Sequence, residues 1–149
     1  MIREATLEDI PALLALGQRM ASESPRFSKL AFSDEKLTAT LIDVIRSPRG
    51  FLWVAEEEGE LLGGMVAIVH PHWFSDDLIA SDLALFVYQH ARGGMAAARL
   101  VKQYKAWARE SGAVLVQAGV STGLGTETTA GLYERMGFAR CGVILDLEA

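Results

Sequence analysis

Val87-Tyr88-Gln89-His90-Ala91-Arg92-Gly93-Gly94-Met95-Ala96-Ala97 leaves a β-rich segment, Asp82 to Tyr88, and passes through two glycines into three small residues. That order predicts a strand turning sharply into a helix. At such a junction free amide N–H groups and the helix dipole favour an anion, and the lack of side chains lets a pyrophosphate approach the backbone. A tight turn whose alanines merely allow close helix packing would carry the same residues. No Gly-Lys-Ser/Thr follows, so the stretch is not a nucleotide P-loop, and a dinucleotide fold would place its glycine turn after the first strand.

Downstream, the helix opened by Arg92-Gly93-Gly94-Met95 carries Ala97, Leu100, Val101, Tyr104, Trp107 and Ala108 on one side and stops at Ser111-Gly112. Val114 to Val120 then reads as a strand, Glu127 to Met136 as a helix and Cys141 to Leu147 as a closing strand. Upstream, Phe51 to Ala55 and Leu61 to Val69 are β-rich runs about the charged turn Glu56 to Glu60, which predicts adjacent antiparallel strands. The loop His70 to Ser81 leads from them back to Asp82. Before them, Thr6-Leu7-Glu8-Asp9 introduces Ile10, Leu13, Leu14, Leu16 and Met20 at helical spacing. Ser33-Asp34-Glu35 introduces Leu37, Leu41, Val44 and Ile45, which Ser47-Pro48-Arg49-Gly50 terminates, and Ser22 to Phe32 between the two helices reads as a loop. The order predicts an α+β fold, a mixed and mostly antiparallel sheet with helices on both faces, as one domain over residues 1–149.

The 149 residues, half of them apolar, suffice for one sizeable core. A net charge of −5 argues against a broad grip on nucleic acid and mildly favours a cationic partner. Cys141 stands alone, which leaves no internal disulfide or cysteine-based zinc site and makes a reduced cytoplasm the expectation. No apolar run approaches the ~20 residues that span a bilayer, and Met1 to Thr6 is unlike a signal peptide.

Arg92-Gly93-Gly94-Met95-Ala96-Ala97 resembles the acyl-coenzyme A signature of the GNAT superfamily, Arg/Gln-x-x-Gly-x-Gly/Ala, with Met95 at the usual first glycine. Gly131-Leu132-Tyr133-Glu134-Arg135-Met136-Gly137-Phe138 is similar to the family's Leu-Tyr-x-x-x-Gly-Phe segment. The two lie at about the family's separation, and the resemblance covers the whole chain. It implies an acetyl-CoA-dependent N-acetyltransferase that moves the acetyl group directly to a primary amine, on a small molecule or a peptide, with no metal. A GNAT-fold module that binds acyl-CoA without efficient chemistry is the alternative.

The resemblance further implies that the backbone of Leu85, Phe86 and Val87 pairs with the pantetheine arm, and that Arg92, Gly93, Gly94, Met95, Ala96, Ala97 and Ala98 hold the pyrophosphate. Thr126 stands where the family often has a cofactor-contacting asparagine, though a helix N-cap would use the same hydroxyl. Tyr133 matches the tyrosine that protonates the departing thiolate, against the plainer role of anchoring the last helix. Asp82 is the candidate base, placed by strand alternation on the face of Ala84 and Phe86; a water chain or Glu127 could replace it. His72, Trp73, Asp76 and Asp77 lie in the loop that flanks the family's acceptor cleft. His70-Pro71-His72 with Asp76-Asp77 matches no strong metal motif. Many family members are homodimers, so a homodimer is among the expectations.

Overall fold

The computed structural model describes residues 1–149 as a five-stranded sheet with two helices on each face. In chain order the elements are β1 (Ile2–Glu4), α1 (Ile10–Glu23), α2 (Asp34–Arg46), β2 (Gly50–Glu57), β3 (Glu60–Pro71), β4 (Leu78–Val87), α3 (Ala96–Glu110), β5 (Leu115–Gln117) and α4 (Thr126–Arg135). The strands lie side by side in sequence order, antiparallel from β1 to β4, with β5 parallel to β4. A parallel neighbour needs a long crossover, and α3 supplies it.

Two apolar layers flank the sheet. On one face Leu100, Val101, Tyr104 and Ala108 of α3, with Tyr133 of α4, close over Phe51, Met65, Ala67 and Ala80. On the other, Leu13 and Leu16 of α1 and Leu41 and Val44 of α2 close over Leu52, Val54 and Phe86. Each such aliphatic side chain contributes roughly 1.5–3 kcal/mol on burial. Ser33 caps α2 by accepting the Lys36 N–H. Gly63 permits the close approach of β3 to β4, since a Cβ there would lie 2.6 Å from the Phe86 carbonyl oxygen.

The structure corrects several expectations. The strand expected from Asp82 begins at Leu78, and α1 runs on to Glu23, so both flanking loops are shorter than the sequence suggests. The helix expected from Arg92 begins at Ala96, after a single 3-10 turn at Gln89–Ala91. The strand expected over Val114 to Val120 pairs only at Leu115–Gln117. Cys141 to Leu147 is no strand: it has no neighbour to bond, and its residues are exposed, with Leu145 at 88% and Leu147 at 94%. Ion pairs of Arg140 with Glu127 and Glu134, and of Arg26 with Asp146, hold this segment along the molecule.

Candidate active site

The β4–β5 ladder ends at Ser81 opposite Gln117. Beyond it the strands part, so Leu85, Phe86 and Val87 pair with β3 on one side and with no strand on the other. At the base of the opening the Asp82 carboxylate accepts the Gly119 N–H at 3.0 Å, a side chain doing what a backbone carbonyl does in a ladder. A backbone edge left open in this way can take an extended ligand as an added strand. The Val87 carbonyl is partly engaged, because it accepts a hydrogen bond from Arg92 Nε at 2.9 Å.

Past Val87 the chain reaches the glycine turn. Gly93 has φ +89°, a backbone state that a side chain would strain, with open space where a Cβ would sit. Met95 has φ −94° and is exposed, so the usual first glycine is not needed at its position; the left-handed residue of this loop is Gly93. Ala96, Ala97 and Ala98 form the first turn of α3, whose amides have no intrahelical partner, and no side chain caps them. The Arg92 guanidinium lies elsewhere than the sequence suggests. It pairs with Glu23 of α1 at 3.1 Å and sits 5.1 Å from the centre of the Phe86 ring, tying the end of β4 to α1. The Arg92 N–H is engaged as well, donating to the Gln89 carbonyl at 3.2 Å.

Tyr133 is 4% exposed, and its hydroxyl is the one buried side-chain polar atom of the molecule without a hydrogen-bond partner. Burial pushes its pKa well above the ordinary phenol value, with further upward push from the charge of Asp82 and from Tyr104. A hydroxyl withdrawn from water with nothing to donate to costs about 1–3 kcal/mol. Asp82 is pushed up to about 6, chiefly by burial, against the opposing hydrogen bond from the Gly119 amide. Tyr104 is fully buried and its hydroxyl donates to the Gln117 carbonyl at 2.6 Å.

The face of Asp82 is not the one that alternation predicts. Val66 pairs with Ala84 while the next residue, Ala67, pairs with Asp82, so Leu83 is an extra residue in β4. This bulge reverses the alternation. Asp82 therefore shares the α3 and α4 face with Ala67 and Leu85, and Phe86 lies on the opposite face in the α1 and α2 layer. The bulge thereby brings Asp82 and Tyr133 onto one face.

Thr126 is the first residue of α4, exposed, with Gly125 in the capping position at φ +54°, so Thr126 is not the N-cap. Glu127 is paired with Arg140, which lowers its pKa and makes it a poor base. His72, Trp73, Asp76 and Asp77 lie on the hairpin between β3 and β4, closed by the His72 N–H to the Asp77 carbonyl. Trp73 is 88% exposed and packs edge-on to Phe74 at 5.0 Å. No group of three or more His, Cys, Asp or Glu side chains is gathered to hold a metal ion. No helix is long and apolar enough to cross a membrane.

Three residues at this end of the sheet carry no sequence signal. His70 of β3, Ser81 of β4 and Gln117 of β5 meet side by side, with His70 Nε2 to Ser81 Oγ at 3.1 Å and Ser81 Oγ to Gln117 Oε1 at 3.0 Å. Only the register across three strands assembles them.

The open strand edge can take an extended ligand, the uncapped helix amides an anionic group, and the orphan hydroxyl a hydrogen-bond acceptor. The family model for an acetyltransferase (GNAT) domain matches residues 48–140. No curated protein matches the chain in sequence. Among solved structures, one described as a transcriptional regulator from Bacillus halodurans matches with TM-score 0.80 at 19% identity, covering 100% of this chain and 99% of that one. An aminoglycoside 6'-N-acetyltransferase from Acinetobacter haemolyticus matches with TM-score 0.76 at 11% identity, over 100% and 97%. An aminoglycoside acetyltransferase from an uncultured soil metagenomic sample, in complex with sisomicin, matches with TM-score 0.72 at 17% identity, over 100% and 95%.

Proposed function

Since this chain belongs to the GNAT acetyltransferase family, we propose that it moves an acetyl group from acetyl-CoA directly to a primary amine, without an acyl-enzyme intermediate. The observation that carries the reading is the buried, unpartnered Tyr133 hydroxyl on the same sheet face as Asp82, beside the gap between β4 and β5. A phenol with no hydrogen-bond partner in the protein is free to donate to the sulfur as the thiolate departs. The amides of Gly93 and of Met95 to Ala98 would hold the pyrophosphate, with Gly94, whose N–H goes to the Ala91 carbonyl, leaving room for it; the backbone of Leu85 to Val87 would lie beside the pantetheine and Thr126 near the cofactor at the start of α4. Asp82, poised near neutrality, exchanges protons beside the departing group.

The acceptor would enter past the β3–β4 hairpin, where Trp73 offers an aromatic face and Asp76 and Asp77 offer negative charge. These suit a cationic amine. Aminoglycosides head the panel because two proteins of similar fold act on them; polyamines, free amino acids and peptide N-termini complete it. The test is release of free thiol from acetyl-CoA in the presence of each amine, with cofactor binding followed by calorimetry. Binding without thiol release on any acceptor would leave a binding module, and absence of binding would remove the family chemistry altogether.

A further inference from the structure

Asp82 and Tyr133 share one face of the sheet, whereas His70, Ser81 and Gln117 lie on the other. Ser81 stands opposite Ile68, which packs against the α1 and α2 layer; His70 follows Ile68 by two residues, and Gln117 stands opposite Ser81. All three remain at least partly open to solvent at the point where β4 and β5 separate.

Donor and acceptor accounting gives this rung two states. His70 Nδ1 lies 2.9 Å from the Pro71 carbonyl oxygen, which can only accept, so the proton of the neutral ring is fixed on Nδ1. The Nε2 lone pair then faces Ser81 Oγ. Ser81 has one proton, and it cannot go to both Nε2 and Gln117 Oε1. In one state Ser81 donates to a neutral His70 and the Gln117 amide is turned so that its N–H donates to Ser81. In the other, His70 is an imidazolium that donates to Ser81, and Ser81 donates to Gln117 Oε1. The states differ by one proton on His70 and one amide rotation.

We propose that His70, through Ser81, is the base that takes the first proton from the ammonium acceptor, on the sheet face opposite Tyr133; the assignment rests on the acetyl-transfer reading. An ammonium sheds two protons on becoming an amide. The first passes from nitrogen to Ser81 Oγ as the Ser81 proton passes to His70 Nε2, and it later leaves to solvent. The freed nitrogen pair forms the C–N bond, the C–S bond breaks with its pair on sulfur, and Tyr133 protonates the sulfur. The second nitrogen proton passes to Asp82, which restores Tyr133. Ser81 touches the substrate, and His70 acts through it as a positioning and proton-storing residue. The charged groups on the elements around the ring are Asp82 on the other face, Arg49, whose carbonyl takes the Val69 N–H, Asp43 and Arg46 in α2, and His72, Asp76 and Asp77 of the hairpin. None forms an ion pair with His70.

The experiment compares wild type, His70→Gln, Ser81→Ala and Ser81→Thr on an amine that wild type acetylates, from about pH 6 to the amine's own pKa of about 10. Both His70→Gln and Ser81→Ala should lose about 10²-fold in kcat/KM at low pH. The deficit should shrink as solvent supplies free amine at high pH, Ser81→Thr should restore much of the rate, and acetyl-CoA affinity should hold. A deficit equal at all pH, or none, overturns the relay. So does a nitrogen NMR spectrum with the neutral His70 proton on Nε2. A wild type that acetylates nothing overturns acetyl transfer and this assignment together, whereas an active wild type with unaffected variants overturns only this one.

Discussion

Tyr133→Phe separates chemistry from packing in a single atom. The lost hydroxyl has no partner, so its removal should leave the melting temperature unchanged or raise it by relieving up to about 1–3 kcal/mol of unpaid desolvation. If Tyr133 is the acid, kcat should fall ~10²- to 10⁴-fold while acetyl-CoA affinity holds. A normal rate in the Phe variant would leave Tyr133 as packing only. Asp82→Asn is read against pH. With its pKa raised from 3.8 to about 6 in the fold, the wild-type carboxylate costs almost nothing below about pH 3, where both states are protonated. Stability then falls as pH rises toward 6, and the full cost of up to about 3 kcal/mol applies above it. The Asn variant should therefore be more stable than wild type above pH 6, by denaturant titration, with the difference gone by about pH 3; its rate should be lower. Gly94 tolerates a side chain, since a Cβ there meets only the Ala91 carbonyl oxygen at 3.4 Å. Gly94→Asp should then fold, yet weaken acetyl-CoA binding more than tenfold, about 1.4 kcal/mol, by calorimetry. Tyr133 was legible because it sits in a recognisable segment. The face of Asp82 was not, because an extra residue such as Leu83 leaves no mark on an alternating pattern.

Helices α1, α2 and α3 were legible from their three- and four-residue apolar spacing, as was the β2–β3 hairpin from its charged turn. The misjudged ends have physical causes: β5 stops where β4 leaves it, and Cys141 to Leu147 alternates like a strand but finds no ladder. β-propensity describes how a segment suits a sheet surface and cannot supply the neighbour. One joint between elements was not readable at all. Arg3 of β1 holds Asp9, before α1, at 2.8 Å and Glu56 of β2 at 2.7 Å. This holds the Asp9 carboxyl below its ordinary range, so the stabilisation is present above about pH 4 and is lost as pH falls through the lowered value. Partial exposure screens the fork, so Arg3→Met should cost about 1 kcal/mol at pH 7. The difference between variant and wild type should narrow near pH 3 in urea titrations; a gap unchanged by acid would mean that the loss is one of packing.

At the scale of the molecule, a net charge of −5 should draw cationic acceptors, so KM for such an amine should rise with salt while KM for acetyl-CoA changes less. Equal salt dependence for both would assign the effect to general screening. Acceptor choice was not legible in the sequence, because on the proposed reading it turns on how the β3–β4 hairpin stands beside the opening, a relation between elements rather than between neighbouring residues. Gln117 shows what such relations build. Its carbonyl is held by Tyr104 of α3 and its side chain by Ser81, so one residue of a three-residue strand is gripped from both sides of the sheet. Gln117 thus works as a yoke: Tyr104 on one side and Ser81 on the other join α3 to β4 through a single residue, so a shift of α3 along its axis would pull on the same residue that Ser81 holds.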